Sequence, residues 1–280
     1  MDILQNWNED NFFHNYWNKK PCVIKNFLPT IECEEFDINE LSTLALEEDI
    51  VSRIMEYDHQ KPKNLILKHG PFSEQDLVSL PENKPWSLLI QDADKKTDLF
   101  DEILEKFSRI PHQFFDDVMV SIGNRNSGTG PHLDWYNVFI LQTEGSKNWK
   151  VETYKRSFKE HDDSIIENLE VKILKNFNEF TEHNLNPGEL LYIPPGHGHH
   201  GTSLTKLCMS LSIGYQGPRL TTLIETYLSK LIGKIHEDER INFDPHSKGQ
   251  IDLSSWPNEI PITDHKFILE LIQIAKEQDY

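Results

Sequence analysis

The chain has 280 residues, 37% of them hydrophobic, with 15 Phe, 6 Trp and 8 Tyr, which excludes a disordered chain and fits one large domain with or without a small appendage. Its formal net charge of -18, from 46 acidic and 28 basic residues, argues against direct nucleic-acid binding and suits either plain solubility or a cationic partner. Cys22, Cys33 and Cys208 make no disulfide framework, the N-terminus lacks a signal-peptide pattern, and no apolar run approaches the roughly 20 residues of a membrane span, so a cytoplasmic protein without membrane contact is expected.

Residues 1–110 read as a mixed α/β segment. Leu41 to Leu46, running on through Glu47, Glu48 and Asp49, has a helical pattern, and Val51 to Met55 an extended one. Lys61-Pro62-Lys63 and Pro81 to Pro85 are loops by their proline content. Asp98 to Phe107 places apolar residues at helical spacing before Pro111.

Residues 111–217 change to short strands and turns. Val118 to Ile122 is a strand, followed by the Gly/Asn/Ser-rich loop Gly123 to Gly130. Val138 to Leu141 and Asn148 to Val151 flank Glu144-Gly145-Ser146, which predicts a hairpin. Leu190 to Ile193 and Cys208 to Tyr215 complete a series without βα alternation, pointing to an antiparallel barrel or jelly roll. Residues 218–280 are helical in pattern: Leu220 to Ile235 carries a stripe of Leu223, Ile224, Tyr227, Leu228, Leu231 and Ile232, and a second helix spans about Thr263 to Glu277.

The chemistry gathers at Pro131-His132-Leu133-Asp134 and, much later, at Pro194-Pro195-Gly196-His197-Gly198-His199-His200. On an extended segment, residues two apart share a face, so His132 and Asp134 can reach one ion. A further His from a distant strand would complete a 2-His-1-carboxylate triad, which leaves open positions on a non-haem Fe(II). Structural zinc sites prefer four closed Cys/His ligands, and no such set is present. His197, His199 and His200 compete for the distal position on spacing alone. Lys147 either pairs with a dicarboxylate from inside the barrel or is an exposed turn lysine, and lysine's rarity in interiors favours the second. Ser121, on the strand before the metal loop, could hydrogen-bond the same carboxylate.

These residues carry a resemblance. Pro131 to Gln142, Gly145, Trp149-Lys150-Val151 and Pro187 to Gly196 are similar to the cupin-type JmjC ribosomal oxygenases, and nearest to the bacterial ribosomal protein L16 arginine hydroxylases. Tyr16 to Pro21, Glu48 to Arg53, Gly70-Pro71-Phe72, Trp86 to Gln91 and Asp116 to Ser121 extend the likeness from about residue 10 through Gly217. The resemblance implies a double-stranded β-helix, mainly β with flanking helices, followed by a helical dimerisation region. It also implies His132, Asp134 and His199 as ligands of Fe(II), His199 being selected because the family's distal ligand follows Pro-Pro-Gly by three residues. Lys147 takes the place of the basic partner of 2-oxoglutarate, where the bacterial relatives carry Arg; this exchanges a bidentate fork for a point charge. Ser121 falls on the family's serine, and Ser210 is a further candidate for the co-substrate wall.

The implied reaction is hydroxylation of a protein side chain with O2 and 2-oxoglutarate. The implied substrate is a basic ribosomal protein, at an arginine of L16. Hydroxylation of a ribosomal histidine and lysine demethylation are rival reactions, and a non-catalytic metal-binding cupin is a rival of another class. The bacterial family also has a C-terminal winged-helix domain, for which 280 residues leave no room beyond the barrel and the dimerisation region.

Overall fold

A computed structural model of the chain describes residues 1–57 and 64–232. Two units are resolved by their internal contacts, Met1–Gly217 and Pro218–Tyr280. Twelve strands lie in the described part of the first: β1 (Asp2–Leu4), β2 (Cys22–Ile24), β3 (Ser52–Glu56), β4 (Ile66–His69), β5 (Ser87–Ile90), β6 (Phe115–Asn124), β7 (Asn137–Glu144), β8 (Lys147–Glu152), β9 (Phe180–Leu185), β10 (Leu190–Ile193), β11 (His199–Ser203) and β12 (Leu207–Tyr215). Short helices decorate them: α1 (Glu9–Asn15), α2 (Thr30–Cys33), α3 (Ile38–Thr43), α4 (Glu74–Val78), α5 (Asp101–Glu105) and α6 (Phe158–Ser164).

The strands form a nine-stranded sheet, in the order β1-β2-β10-β7-β12-β6-β5-β3-β4, and a three-stranded sheet, β11-β8-β9. Residues 1–110 thus contribute β1 to β5 to the same sheet as the central strands. Mostly antiparallel strands in two facing sheets, with helices at the flanks, make this a double-stranded β-helix, the fold the resemblance implies.

Side-chain alternation sorts the large sheet into two buried faces. Phe139, Leu141, Tyr192, Val118, Val120, Leu211 and Ile213 point to the main core with Phe12, Phe107 and the N-terminal helices. Val138, Ile140, Leu191 and Ile193 point the other way, onto Trp149, Val151 and Leu185 of the small sheet. Burial on both sides explains why β7 reads as a continuous apolar run and not as an alternation. It also fixes which residues of β6 and β12 face the barrel interior: the ones between the core residues, including Asp117, Met119, Ser121, Ser210 and Ser212.

The hairpin expected around Gly145 is not formed. β7 pairs with β10 and β12, whereas β8 pairs with β9 and β11. The chain crosses from one sheet to the other at Gly145, whose φ of +64° suits glycine and whose added Cβ would lie 2.2 Å from the Leu207 carbonyl oxygen. Two helices are also shorter than their sequence patterns. α3 begins at Ile38 behind the Asp37 cap and gives way to a 3-10 turn at Leu44–Leu46. Glu47, Glu48 and Asp49 then meet the negative end of the helix dipole, which ends it. Residues 98–107 divide into a 3-10 turn at Asp98–Phe100 and α5.

In the second unit α7 (Leu220–Ile232) covers the described part of the helix expected from Leu220 to Ile235. Its Leu220, Leu223, Ile224 and Tyr227 are exposed. The loop expected at Lys61-Pro62-Lys63 and the helix expected from Thr263 to Glu277 lie outside the described residues. Among the described residues no helix is long and apolar enough to cross a membrane.

Candidate metal centre

His132 lies just before β7 and His199 opens β11, and the two form an isolated antiparallel bridge. His132 N–H donates to the His199 carbonyl at 3.0 Å, and His199 N–H donates back to the His132 carbonyl at 2.7 Å. Residues directly opposite in such a pair send their side chains to the same side, and the two rings sit 4.3 Å apart. Asp134 follows two residues on, its carbonyl accepting from Gly196 N–H at 2.7 Å. The ligand atoms of His132, Asp134 and His199 all lie within 4.8 Å of one another.

The rings are oriented for one ion. His132 Nδ1 is 2.9 Å from the Gly130 carbonyl and His199 Nδ1 is 3.1 Å from the His197 carbonyl. An Nδ1–H donated to a carbonyl leaves the Nε2 lone pair free for metal. Burial, reinforced by the neighbouring His132, pushes the His199 imidazole down to about 4. The ring is therefore neutral at physiological pH, the form that ligates. His199 Nε2 is 3.6 Å from Asp134 Oδ2.

The other two histidines of the loop are directed elsewhere. His197 Nδ1 is 3.1 Å from the Glu152 carbonyl. His200, the next residue along β11, faces the opposite side of its strand, within 3.1 Å of Thr202 Oγ1 and beside Tyr57 and Phe177. The loop itself is clamped: Glu152 and Arg156 N–H groups hold the carbonyls of Gly198 and Gly196, each at 2.8 Å, and the Arg156 guanidinium pairs with the buried Glu152 carboxylate.

Lys147 is buried, against the exposed turn lysine that residue type alone favours; the resemblance gives it a place at the co-substrate. Its strand alternates, with Lys147, Trp149 and Val151 inside and Asn148 and Lys150 partly exposed. That period of two was the available signal. The ammonium is 3.5 Å from Ser121 Oγ and 5.1 Å from the Trp149 ring centroid. Burial pulls its pKa below the usual lysine value, and among the described residues no carboxylate offsets this. Ser210 stands directly opposite Ser121 across β12 and β6, with its buried hydroxyl unpaired among the described residues. A buried cation, an unpaired hydroxyl and a serine form a cradle for an anion that the described residues do not supply.

A cavity of about 90 Å³ adjoins the triad, lined by Asp134 and His199 and, on other walls, by Asp116, Asp117, Tyr136, Met119 and Trp149. Burial raises Asp117 to about 6, with its Oδ2 accepting from Asp92 N–H at 3.2 Å. Sequence reading assigned no role to Asp116, Asp117 or Trp149. The alternation of β6 places Asp117 and Met119 on the face of Ser121, and that was the clue to the first of them.

Residues 93–223 match the JmjC domain family. The chain is 32% identical to a probable ribosomal oxygenase of Haemophilus influenzae, over 82% of this chain and 54% of that one. It is 32% identical to the ribosomal protein uL16 3-hydroxylase of Escherichia coli, over 80% of this chain and 56% of that one. The solved structure of the Escherichia coli ribosomal oxygenase YcfD with cobalt and 2-oxoglutarate superposes with a TM-score of 0.72 at 26% identity, covering 99% of this chain and 68% of that one. The chain spans about half the length of the curated relatives it matches.

Proposed function

We propose, from the match of residues 93–223 to the JmjC domain family, that the chain is an Fe(II)- and 2-oxoglutarate-dependent protein hydroxylase acting on an arginine side chain of ribosomal protein uL16 (L16) in the cytoplasm. The observation that carries the reading is the convergence, in one barrel interior, of the His132, Asp134 and His199 ligand atoms with the uncompensated Lys147 ammonium. The donor set fits iron: two neutral imidazoles and one carboxylate on one side of an ion leave positions for a co-substrate and dioxygen. The anion cradle fits a dicarboxylate, which would reach Lys147, Ser121 and Ser210 with one carboxylate and the metal with its other end.

Bound iron would supply the oxidative chemistry, in which O2 gives one atom to a substrate C–H bond and one to succinate as 2-oxoglutarate loses CO2. The chain's own residues do the positioning. His132 and His199 hold their Nε2 atoms toward one point because both Nδ1 atoms are tied to carbonyls. Lys147 fixes the co-substrate's far end by charge, and its burial keeps water from screening that contact. Asp116 and Asp117 give the adjoining cavity a negative wall, which suits a guanidinium and supports arginine over a neutral side chain. The net charge of -18 raises the encounter rate with a basic ribosomal protein.

We also infer that α7 mediates self-association as a homodimer. A helix presenting Leu220, Leu223, Ile224 and Tyr227 outward has an apolar row to cover.

The reading is tested by comparing intact masses of ribosomal proteins from cells with and without the gene. Loss of the mass of one oxygen atom from uL16 is expected, with the difference mapping to an arginine. Unchanged uL16, with the difference on a histidine of another protein, would replace the substrate assignment.

A further inference from the structure

We propose that the indole N–H of Trp149 donates a hydrogen bond to the bound dicarboxylate co-substrate, holding it in line between Lys147 and the metal ligands. The inference rests on the proposed function above and adds to it a positioning residue.

Trp149 is only 6% exposed. Its Nε1 is buried without a hydrogen-bond partner among the described residues. Buried N–H groups are satisfied in the great majority of cases, so an orphan needs a reason. This chain satisfies the comparable group of Trp86, whose Nε1 donates to the Pro81 carbonyl at 3.0 Å. The Trp149 indole is also not free to turn away. In the register of β8 with β11 it stands opposite Gly201, where an added Cβ would come within 2.9 Å of its Cη2 and Cζ2 atoms. Glycine at 201 therefore makes room for an indole pressed flat against the neighbouring strand. The Lys147 ammonium lies 5.1 Å from the ring, and the His199 ring lies 6.0 Å away.

Trp149 thus lies within reach of both the cation that would take one end of the co-substrate and a ligand of the metal that would take the other. It lines the same cavity as Asp134 and His199. The acceptor it lacks comes from outside the described residues, and a ligand in this cavity would bring one. A guanidinium carries donors and no acceptor, so the substrate side chain cannot supply it. A dicarboxylate with four carboxylate oxygens can.

The test uses the full chain, labelled with nitrogen-15 at its tryptophan indoles and loaded with diamagnetic Zn(II). Trp149→Phe keeps a ring without the N–H and identifies the Trp149 cross-peak by its loss. On adding 2-oxoglutarate to the wild-type protein, that cross-peak should move downfield; Zn(II) alone should leave it near its starting position. By calorimetry, Trp149→Phe should weaken 2-oxoglutarate binding by roughly tenfold, the lower end for a hydrogen bond to a charged acceptor, with Zn(II) affinity unchanged. A cross-peak that stays put while calorimetry records bound 2-oxoglutarate overturns the inference and leaves the proposed function standing. So does a Trp149→Phe variant that binds as tightly as wild type. Failure of the wild-type protein to bind 2-oxoglutarate overturns both.

Discussion

His132 and His199 exchange both of their backbone hydrogen bonds, at 3.0 and 2.7 Å. The two candidate ligands are locked to each other by the backbone, and the pair should hold a metal without rearrangement of the loop. Removing one of three ligands leaves too few for labile Fe(II). His132→Ala, Asp134→Ala and His199→Ala should each abolish turnover and metal binding by titration. His197→Ala and His200→Ala should retain metal, since those rings point elsewhere. A dead His200→Ala beside an active His199→Ala would reassign the distal ligand.

Lys147→Ala should raise the 2-oxoglutarate requirement by roughly ten- to a hundredfold, the equivalent of the about 1.5–3 kcal/mol of a charge-assisted contact. Metal affinity should change far less, because Lys147 reaches Ser121 and the Trp149 ring and is not itself among the ligands His132, Asp134 and His199. Lys147→Arg should keep more activity than the alanine variant. An unaltered co-substrate titration in Lys147→Ala would remove this residue from the site.

Asp117 gives a pH signature. Its carboxyl is raised to about 6 by burial, above its value in the unfolded chain, so the folded state favours its protonated form. The sign for stability follows: this contribution is present at low pH and lost as pH rises through about 6. Binding of a cationic side chain has the opposite sign, since it needs the ionised form. Affinity for an arginine peptide should therefore rise as pH passes through about 6. Asp117→Asn should flatten that rise and weaken peptide binding by roughly tenfold or more. An unchanged profile in the variant would place the cation elsewhere.

Leu223 and Tyr227 carry the self-association proposal. Leu223→Glu with Tyr227→Glu should turn a dimer into a monomer in sedimentation, leaving metal binding intact. A wild-type chain that stays monomeric in sedimentation at high protein concentration would refute it.

Much of this was legible in the sequence where chemistry is local. His132 and Asp134 announce themselves because a spacing of two on an extended segment is a geometric statement. The strands around them read through their β-branched and aromatic runs. What lay outside reach was pairing over distance. Gly145 looks like a hairpin turn in either topology, and only the packing of two sheets sends β8 to β9 and β11. Residue type alone favours an exposed Lys147 and only the resemblance gives it a place at the co-substrate, although Trp149 and Val151 mark its face as inward. Ser121 and Ser210 become meaningful only when β6 and β12 bring them opposite each other. Asp117 and Trp149 needed the cavity itself, since neither belongs to a spacing motif of its own.

The most direct measurement incubates the full chain with Fe(II), 2-oxoglutarate, isotopically heavy dioxygen and an arginine-containing fragment of uL16, and follows the fragment by mass spectrometry. The account predicts one heavy oxygen atom on an arginine carbon, one succinate formed per hydroxylation, and neither product with Asp134→Ala. Iron and 2-oxoglutarate bound without succinate formation, across uL16 and other ribosomal fragments, would contradict it and leave a binding protein in place of an oxygenase.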